Sequence, residues 1–160
     1  ELKALGDGFI FAKVDHLDAH LEQDDTNNVS TGIAIEVGSN QADLAYDDTW
    51  IKNPDPRLVD GEDLNIKLDV INNGTYEAKA KTWFYWSADE EFDDTDVLLR
   101  TDKHGTLDAG EINTKDGRKI SYDDLAALGD GFVLAVLDAT GLVDESNEQN
   151  NIAFFEFDIV

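Results

Sequence analysis

The sequence predicts an all-β protein, an antiparallel β-sandwich of about seven short strands, and three observations support this prediction. Apolar and polar residues alternate strictly in Leu64–Val70, as they do in a strand that buries one face. Turn signals such as Asn72-Asn73-Gly74 separate segments of this kind. No segment has the apolar periodicity of a long helix, and only a short helical turn at Asp123–Leu128 is expected.

Seven segments in the C-terminal three quarters of the chain are predicted as strands. In chain order they are Asp43–Ile51, Leu64–Val70, Ala78–Ser87, Val97–Arg100, Arg118–Tyr122, Phe132–Asp138 and Asn151–Ile159. Pro54 and Pro56 are expected to end the first strand, because proline cannot donate to a sheet ladder. Short strands separated by turns favour the immunoglobulin type of sandwich, with one aromatic residue of the Trp83–Trp86 run at its centre.

The N-terminal segment repeats the C-terminal one. Leu5–Phe9 recurs as Leu128–Phe132, and thirteen residues within 2–37 are identical to those 123 positions later. We interpret residues 1–37 as the C-terminal fragment of a preceding repeat that forms a β-hairpin of two strands. A linker at 38–41 and a complete sandwich at 42–160 follow. The chain begins at Glu1 and contains no methionine, so a longer parent protein with tandem repeats is expected.

The predicted hairpin carries more apolar side chains than two strands can bury. They are Phe9, Phe11, Val14, Ile33 and Ile35. An open apolar edge promotes aggregation. We therefore expect this segment to be covered, either against the complete sandwich or by strand exchange or dimer formation with a second molecule.

The charge balance restricts the possible partners. Acidic residues number 36 and basic residues 12, which leaves a net charge of −24. This charge argues against nucleic acid and anionic lipid, because both would be repelled. No apolar run approaches the ~18 residues of a membrane span, so membrane insertion is not expected. The chain has no cysteine, which excludes disulfides and thiolate metal sites.

The carboxylates are densest at Asp89–Asp96, where six fall within eight residues. Charges this close repel one another, and a Ca²⁺ ion offsets the repulsion by collecting carboxylate and carbonyl oxygens. The predicted ligands of a structural Ca²⁺ are Asp89, Asp93 and Asp96, with Glu91 or a loop carbonyl completing the set. The alternative is a hydrated acidic hairpin loop that holds no specific ion.

A second, weaker cluster consists of Asp144, Glu145 and Glu148. One interpretation is an ion between repeats that stiffens the array. The other is a plain loop between the last two strands, in which Asn150 and Asn151 bond backbone groups at the start of the strand.

The aromatic residues permit a carbohydrate-binding interpretation. The candidates are Tyr46, Trp50, Trp83, Tyr85 and Trp86. Alternate residues of a strand face opposite sides, so Trp83 and Tyr85 would lie on one face of the sheet and Phe84 and Trp86 on the other. We expect these rings to fill the core or cover an edge rather than form a sugar platform. No pattern of catalytic residues stands out, and no catalytic role is assigned.

Several motifs together resemble CARDB, the cell-adhesion-related domain found in bacteria. They are Val70–Gly74, Phe84–Asp89, Leu107–Glu111 and the ending Asp138–Asn151, which is the most specific of the four. The resemblance covers residues 42–160. It implies an immunoglobulin-like β-sandwich that serves as a repeated, non-catalytic extracellular module of bacterial and archaeal surface or secreted proteins.

Two functions follow from these observations. The first is a structural or adhesive repeat, stiffened by Ca²⁺, that contacts neighbouring repeats and a surface polysaccharide or protein. The second is a carbohydrate- or polymer-binding module appended to a secreted hydrolase. Convergence of Asp89, Asp93 and Asp96 on one point would favour the first, and an exposed coplanar pair of aromatic rings would favour the second.

Overall fold

The computed structural model describes residues 7–14, 17, 20–21, 23–35, 40–53 and 55–160. The chain divides into two compact units, Glu1–Ser39 and Asn40–Val160. The origin of the first unit as part of a preceding repeat stays a prediction.

The smaller unit contains the predicted hairpin. Strands β1 (Gly8–Ile10) and β2 (Ile33–Ile35) pair antiparallel. A 3-10 turn at Asp25–Asn27 lies between them, and the Asp24 carboxylate caps it by accepting the Thr26 N–H at 2.9 Å. In the single chain, Phe9 and Ile33 are exposed, and the partner expected to cover them stays a prediction.

Eight strands and a short helix are described in the larger unit. They are β3 (Leu44–Ile51), β4 (Arg57–Leu58), β5 (Leu64–Asn72), β6 (Ala78–Ser87), β7 (Val97–Leu107), β8 (Ile112–Ile120), α1 (Tyr122–Ala126), β9 (Gly131–Leu137) and β10 (Ile152–Ile159). The predicted all-β class and the short helical turn are therefore confirmed. The two-residue strand β4 was not predicted, because its segment is too short to show alternation.

The described strands of the larger unit form two sheets. One has the order β4-β10-β9-β6-β7 and the other the order β3-β5-β8. All pairs within these two sheets are antiparallel except β4 with β10, which run parallel. This arrangement is the predicted sandwich.

The core contains the apolar residues that the alternation in Leu64–Val70 predicted to be buried. Leu64, Ile66, Leu68 and Val70 of β5 are all fully buried. Phe84 of β6 is also fully buried among residues of both sheets, so one aromatic residue of the Trp83–Trp86 run does fill the centre.

Strands β7 and β8 extend well beyond the segments predicted for them. The prediction stopped β7 at Arg100, but the strand runs to Leu107 and pairs with β6 throughout, with register shifts at two bulges. It is an edge strand of its sheet, and charged residues interrupt its pattern. Alternation fails as a signal where a strand buries little on either face.

A chain of polar side chains crosses the sandwich interior. The Tyr46 hydroxyl lies 3.2 Å from Thr82 Oγ1, which lies 2.8 Å from His104 Nε2. The other ring nitrogen of His104 is 3.4 Å from Asn113 Oδ1. These four residues lie on β3, β6, β7 and β8 and so join the two sheets. Burial raises the pKa of Tyr46, which keeps its hydroxyl protonated.

Candidate functional site

The acidic loop, residues 89–96, joins β6 to β7, and its carboxylates accept hydrogen bonds from backbone N–H groups of the same loop. Asp89 Oδ1 accepts the Glu91 N–H at 2.9 Å, and Asp96 Oδ2 accepts the Asp93 N–H at 3.0 Å. Asp93 Oδ1 accepts both the N–H and the hydroxyl of Thr95, each at 2.7 Å. These bonds lower the pKa of Asp93, because they stabilise its charged form.

The four predicted ligands share one loop, and the binding of an ion by them stays a prediction. Among the described residues, no group of three or more His, Asp or Glu side chains is placed to hold a metal ion. The hydrogen bonds nevertheless use one oxygen of each of Asp89, Asp93 and Asp96 and leave the other. Asp96 Oδ1 is buried without a hydrogen-bond partner.

The second predicted cluster separates into two exposed members and one buried member. Asp144 is exposed and accepts a bond from Gln41 Nε2 at 3.1 Å, while Glu148 is exposed in the same loop. Glu145 is buried. Its Oε2 accepts the backbone N–H of Leu44, and its Oε1 accepts Nδ2 of Asn151 at 3.0 Å.

Burial changes the acid strength of Glu145. Loss of solvent raises its pKa to about 7, and the hydrogen bonds from Leu44 and Asn151 offset only part of this effect. The negative charges of Glu148 and Asp138 add a smaller increase. Glu145 therefore takes up a proton more readily than an ordinary glutamate.

The loop between β9 and β10 fastens the start of the first sandwich strand. Ala42 forms a parallel bridge with Glu145, and Ser146 N–H donates to the Ala42 carbonyl at 2.9 Å. Asn150 Nδ2 donates to Asp43 Oδ1 at 2.8 Å. The amides of Asn150 and Asn151 thus bind carboxylates, whereas the plain-loop interpretation had them bond backbone groups. We call this set, residues 41–44 with 144–151, the β3 junction.

Asp138 shapes the same loop from its other end. Its φ of 40° lies in the left-handed region, which is uncommon for a residue with a side chain. Its Oδ2 accepts the Val143 N–H at 2.6 Å, and its Oδ1 accepts the Thr140 hydroxyl at 3.2 Å. Both oxygens are therefore occupied in holding residues 138–143.

A groove that the sequence analysis did not predict lies beside this loop. Its volume is about 750 Å³, within the range of small-molecule sites. It is lined by β6, β7 and the β9–β10 loop, and includes Lys79, Lys81, Trp83, Lys103 and Leu142. Lys81 Nζ lies 4.0 Å from the centroid of the Trp83 ring. The alternation Lys79-x-Lys81-x-Trp83 in β6 was the signal that could have revealed it.

The aromatic run divides between the two faces as predicted. Phe84 is buried in the core and Trp86 packs partly against it, while Trp83 and Tyr85 are half-buried on the other face. Tyr85 stacks on Phe92 of the acidic loop, with ring centroids 4.8 Å apart. In the part of the chain that the structure describes, no helix is long and apolar enough to cross a membrane.

Comparison with known proteins identifies the family. The chain is similar to a CARDB domain from Pyrococcus furiosus solved in complex with di-metal ions, with 20% identity, a TM-score of 0.52, and coverage of 76% of this chain and 96% of that one. A solution structure of the same domain gives 22% identity and a TM-score of 0.53, covering 76% and 97%. At these identities the likeness shows the fold. No curated protein matches the chain. The CARDB family model matches residues 41–154, and the chain therefore belongs to the CARDB family.

Proposed function

We propose that this chain is a non-catalytic structural or adhesive module of a secreted or cell-surface protein, stiffened by Ca²⁺. The observation that carries the proposal is the CARDB match over residues 41–154. It is supported by Asp138–Asn151, the most specific of the four motifs, which holds the start of β3 in the sandwich. The module works outside the cell and contacts neighbouring repeats of the same protein. Its ligand on the surface is a polysaccharide or another protein.

The acidic loop supports the Ca²⁺ part of the proposal. Asp89, Asp93 and Asp96 each keep one carboxylate oxygen outside the hydrogen bonds that hold the loop. These oxygens are available to a cation without breaking the turns, and in this proposal side-chain rotation brings them together on the ion, with Glu91 or a loop carbonyl completing the set. The solution of a similar CARDB domain from Pyrococcus furiosus in complex with di-metal ions supports this part of the proposal. Extracellular Ca²⁺ modules work with dissociation constants of about 10⁻⁴–10⁻³ M.

Thermal unfolding tests this function. We expect the Tm in 10 mM CaCl₂ to exceed the Tm in EDTA by about 3–10 °C, because binding at about ten to a hundred times the dissociation constant adds roughly 1.4–2.7 kcal/mol. MgCl₂ at matched ionic strength should give a smaller shift, because Mg²⁺ dehydrates reluctantly.

Matched variants locate the ion. Asp93→Asn with Asp96→Asn should remove the Ca²⁺-specific shift, whereas Asp123→Asn with Asp124→Asn, which removes two exposed charges from α1, should keep it. Equal shifts in CaCl₂, MgCl₂ and NaCl would mean that salt only screens the net charge, and the Ca²⁺ part of the proposal would be wrong.

The second candidate function is a carbohydrate- or polymer-binding module appended to a secreted hydrolase. The half-buried Trp83, which lines the groove on the outer face of β6, favours it, since an aromatic ring on a sheet surface can stack on a sugar ring. Binding of oligosaccharides by the isolated chain tests this function, and the charge of the groove indicates which oligosaccharides to use.

A further inference from the structure

We propose that the groove beside Trp83 binds an anionic sugar, that is, a saccharide carrying a carboxylate or sulfate group. The inference deepens the second candidate function by naming its site and ligand class. It is independent of Ca²⁺ binding by the acidic loop, so its failure would leave the stiffened module standing.

The charge of the groove is opposite to that of the chain. The chain has only 12 basic residues against 36 acidic ones, yet three lysines, Lys79, Lys81 and Lys103, line this one groove. Asp138 is the one acidic residue of the lining, so the lining has a formal charge of 3 − 1 = +2. Asp138 Oδ1 accepts a hydrogen bond from Thr140 and Oδ2 accepts one from Val143, so contacts with the loop engage both oxygens of this carboxylate.

The three lysines also lack the partners that other basic residues have. In the described part of the chain, Arg57, Lys67, Arg100, Arg118 and Lys119 each form an ion pair with an aspartate. None of the three groove lysines forms an ion pair within the same described residues. The chain has three carboxylates for every basic residue, so carboxylate partners are abundant. Because these three ammonium groups nevertheless have none among the described residues, we infer that they are available to an external anion.

The register of the sheet adds to this argument. Lys81 of β6 lies directly opposite Lys103 of β7. Like charges in this relation destabilise a sheet. An anion held between the two ammonium groups removes this repulsion. Binding an anion therefore gives a reason for placing two lysines opposite each other.

Trp50 and Trp83 provide an internal comparison. Each has a lysine ammonium over its ring, Lys67 at 3.8 Å and Lys81 at 4.0 Å from the centroid. Lys67 is neutralised by Asp69 at 2.7 Å, whereas Lys81 faces the groove. Of these two tryptophans, only Trp83 therefore lies beside an ammonium group that has no carboxylate partner in the described part of the chain.

An anionic sugar matches these features better than a polyanion does. The exposed part of the Trp83 ring, beside the Lys81 ammonium, offers an apolar surface to a sugar, and the lysines pair with the acid group. The Thr106 position offers a hydroxyl group, and the Thr140 hydroxyl, which donates to Asp138, can still accept a hydrogen bond. Nucleic acid carries dense charge over a long distance and would meet the negative remainder of the surface. At physiological salt, charges more than about 8 Å away are largely screened, so a short ligand senses mainly the groove.

The test is a titration of the ¹⁵N-labelled chain followed through the tryptophan indole N–H resonances. The ligands are a galacturonic acid trimer, a sulfated galactose trimer, a neutral galactose trimer and a hexaglutamate peptide. We expect the carboxylated or the sulfated trimer to shift the Trp83 resonance and to bind at least about tenfold more tightly than the neutral trimer. Which of the two binds more tightly identifies the acid group.

Variants tie the binding to the groove. Lys79→Gln with Lys103→Gln should weaken binding by about tenfold. Arg57→Gln with Lys119→Gln removes the same charge from exposed positions outside the groove and should leave binding unchanged. Trp83→Ala should abolish binding and Trp50→Ala should not, both followed through the backbone amide resonances because Trp83→Ala lacks its own indole signal, with the Tm of each variant measured to confirm that it is folded.

Three results would overturn the proposal. One is the absence of binding by either charged trimer, and another is equal binding by the neutral trimer. The third is hexaglutamate binding as tightly as the sugars, which would identify the groove as a site for an acidic peptide segment.

Discussion

The acidic loop at residues 89–96 and the β3 junction around Glu145 use carboxylates in different ways. In the acidic loop, Asp89 and Asp93 are exposed and cap turns only a few residues long. At the β3 junction, Glu145 is buried and accepts the N–H of Leu44, 101 residues away in sequence. The first set organises a loop, and the second closes the sandwich.

This difference teaches that burial, rather than the local density of acidic residues, decides how much a carboxylate contributes to stability. When an exposed carboxylate is removed, water can hydrogen-bond to the donor that it had capped. A buried donor that loses its acceptor remains unsatisfied, at a cost of about 1–3 kcal/mol. The contrast can be tested by removing one carboxylate from each region.

The largest effect is expected from Glu145→Ala. The substitution leaves the Leu44 N–H and the Asn151 amide without their acceptor, and we expect the free energy of unfolding to fall by about 2–4 kcal/mol. Urea unfolding in EDTA measures it. Glu148→Ala, exposed in the same loop, is the matched control and should change stability by no more than about 0.5 kcal/mol. Equal losses in both variants would contradict the role assigned to burial.

A smaller effect is expected from Asp93→Ala. This residue caps Thr95 through two hydrogen bonds, and loss of an exposed cap costs about 0.5–1 kcal/mol. The measurement is urea unfolding in EDTA, which separates the cap from any bound ion. Asp94→Ala, its exposed neighbour, serves as the control. A loss from Asp93→Ala as large as that from Glu145→Ala would remove the distinction between the two regions.

The sequence predicted most of the fold because strict alternation in β5, and alternation over the last residues of β10, report one buried face. It failed to give the full length of β7, whose residues at the sheet edge bury little. It also could not separate Glu145 from Asp144 and Glu148, since a cluster of acids has the same composition whether or not one member is buried. The burial of Glu145 depends on the pairing of Ala42 with the β9–β10 loop, which is a contact between distant parts of the chain.

The groove was missed for a related reason. Trp83 and Tyr85 were correctly assigned to one face, but the lysines beside them were not considered as part of a site. Lys103 approaches Lys81 only through the pairing of β6 with β7, and Leu142 only through the loop that Asp138 holds. Spacing along one strand cannot reveal residues supplied by another.

The most direct test of the central claim is the pH dependence of Tm for the natural chain and for Glu145→Gln, measured in EDTA. Burial raises the pKa of Glu145 from the usual 4.5 to about 7, so the folded chain retains a proton that the unfolded chain has released. The part of the stability that comes from the proton retained by Glu145 is therefore complete below pH 4.5, decreases as the pH rises, and is lost above about 7, whereas the hydrogen bonds to Leu44 and Asn151 do not depend on this proton.

Glutamine cannot ionise, so the variant lacks this contribution while all other carboxylates titrate alike in both proteins. We predict that the Tm of the natural chain falls relative to that of Glu145→Gln between pH 4.5 and pH 7. Two parallel curves over this range would show that Glu145 is not desolvated in the folded chain, and the account of the β3 junction would be wrong.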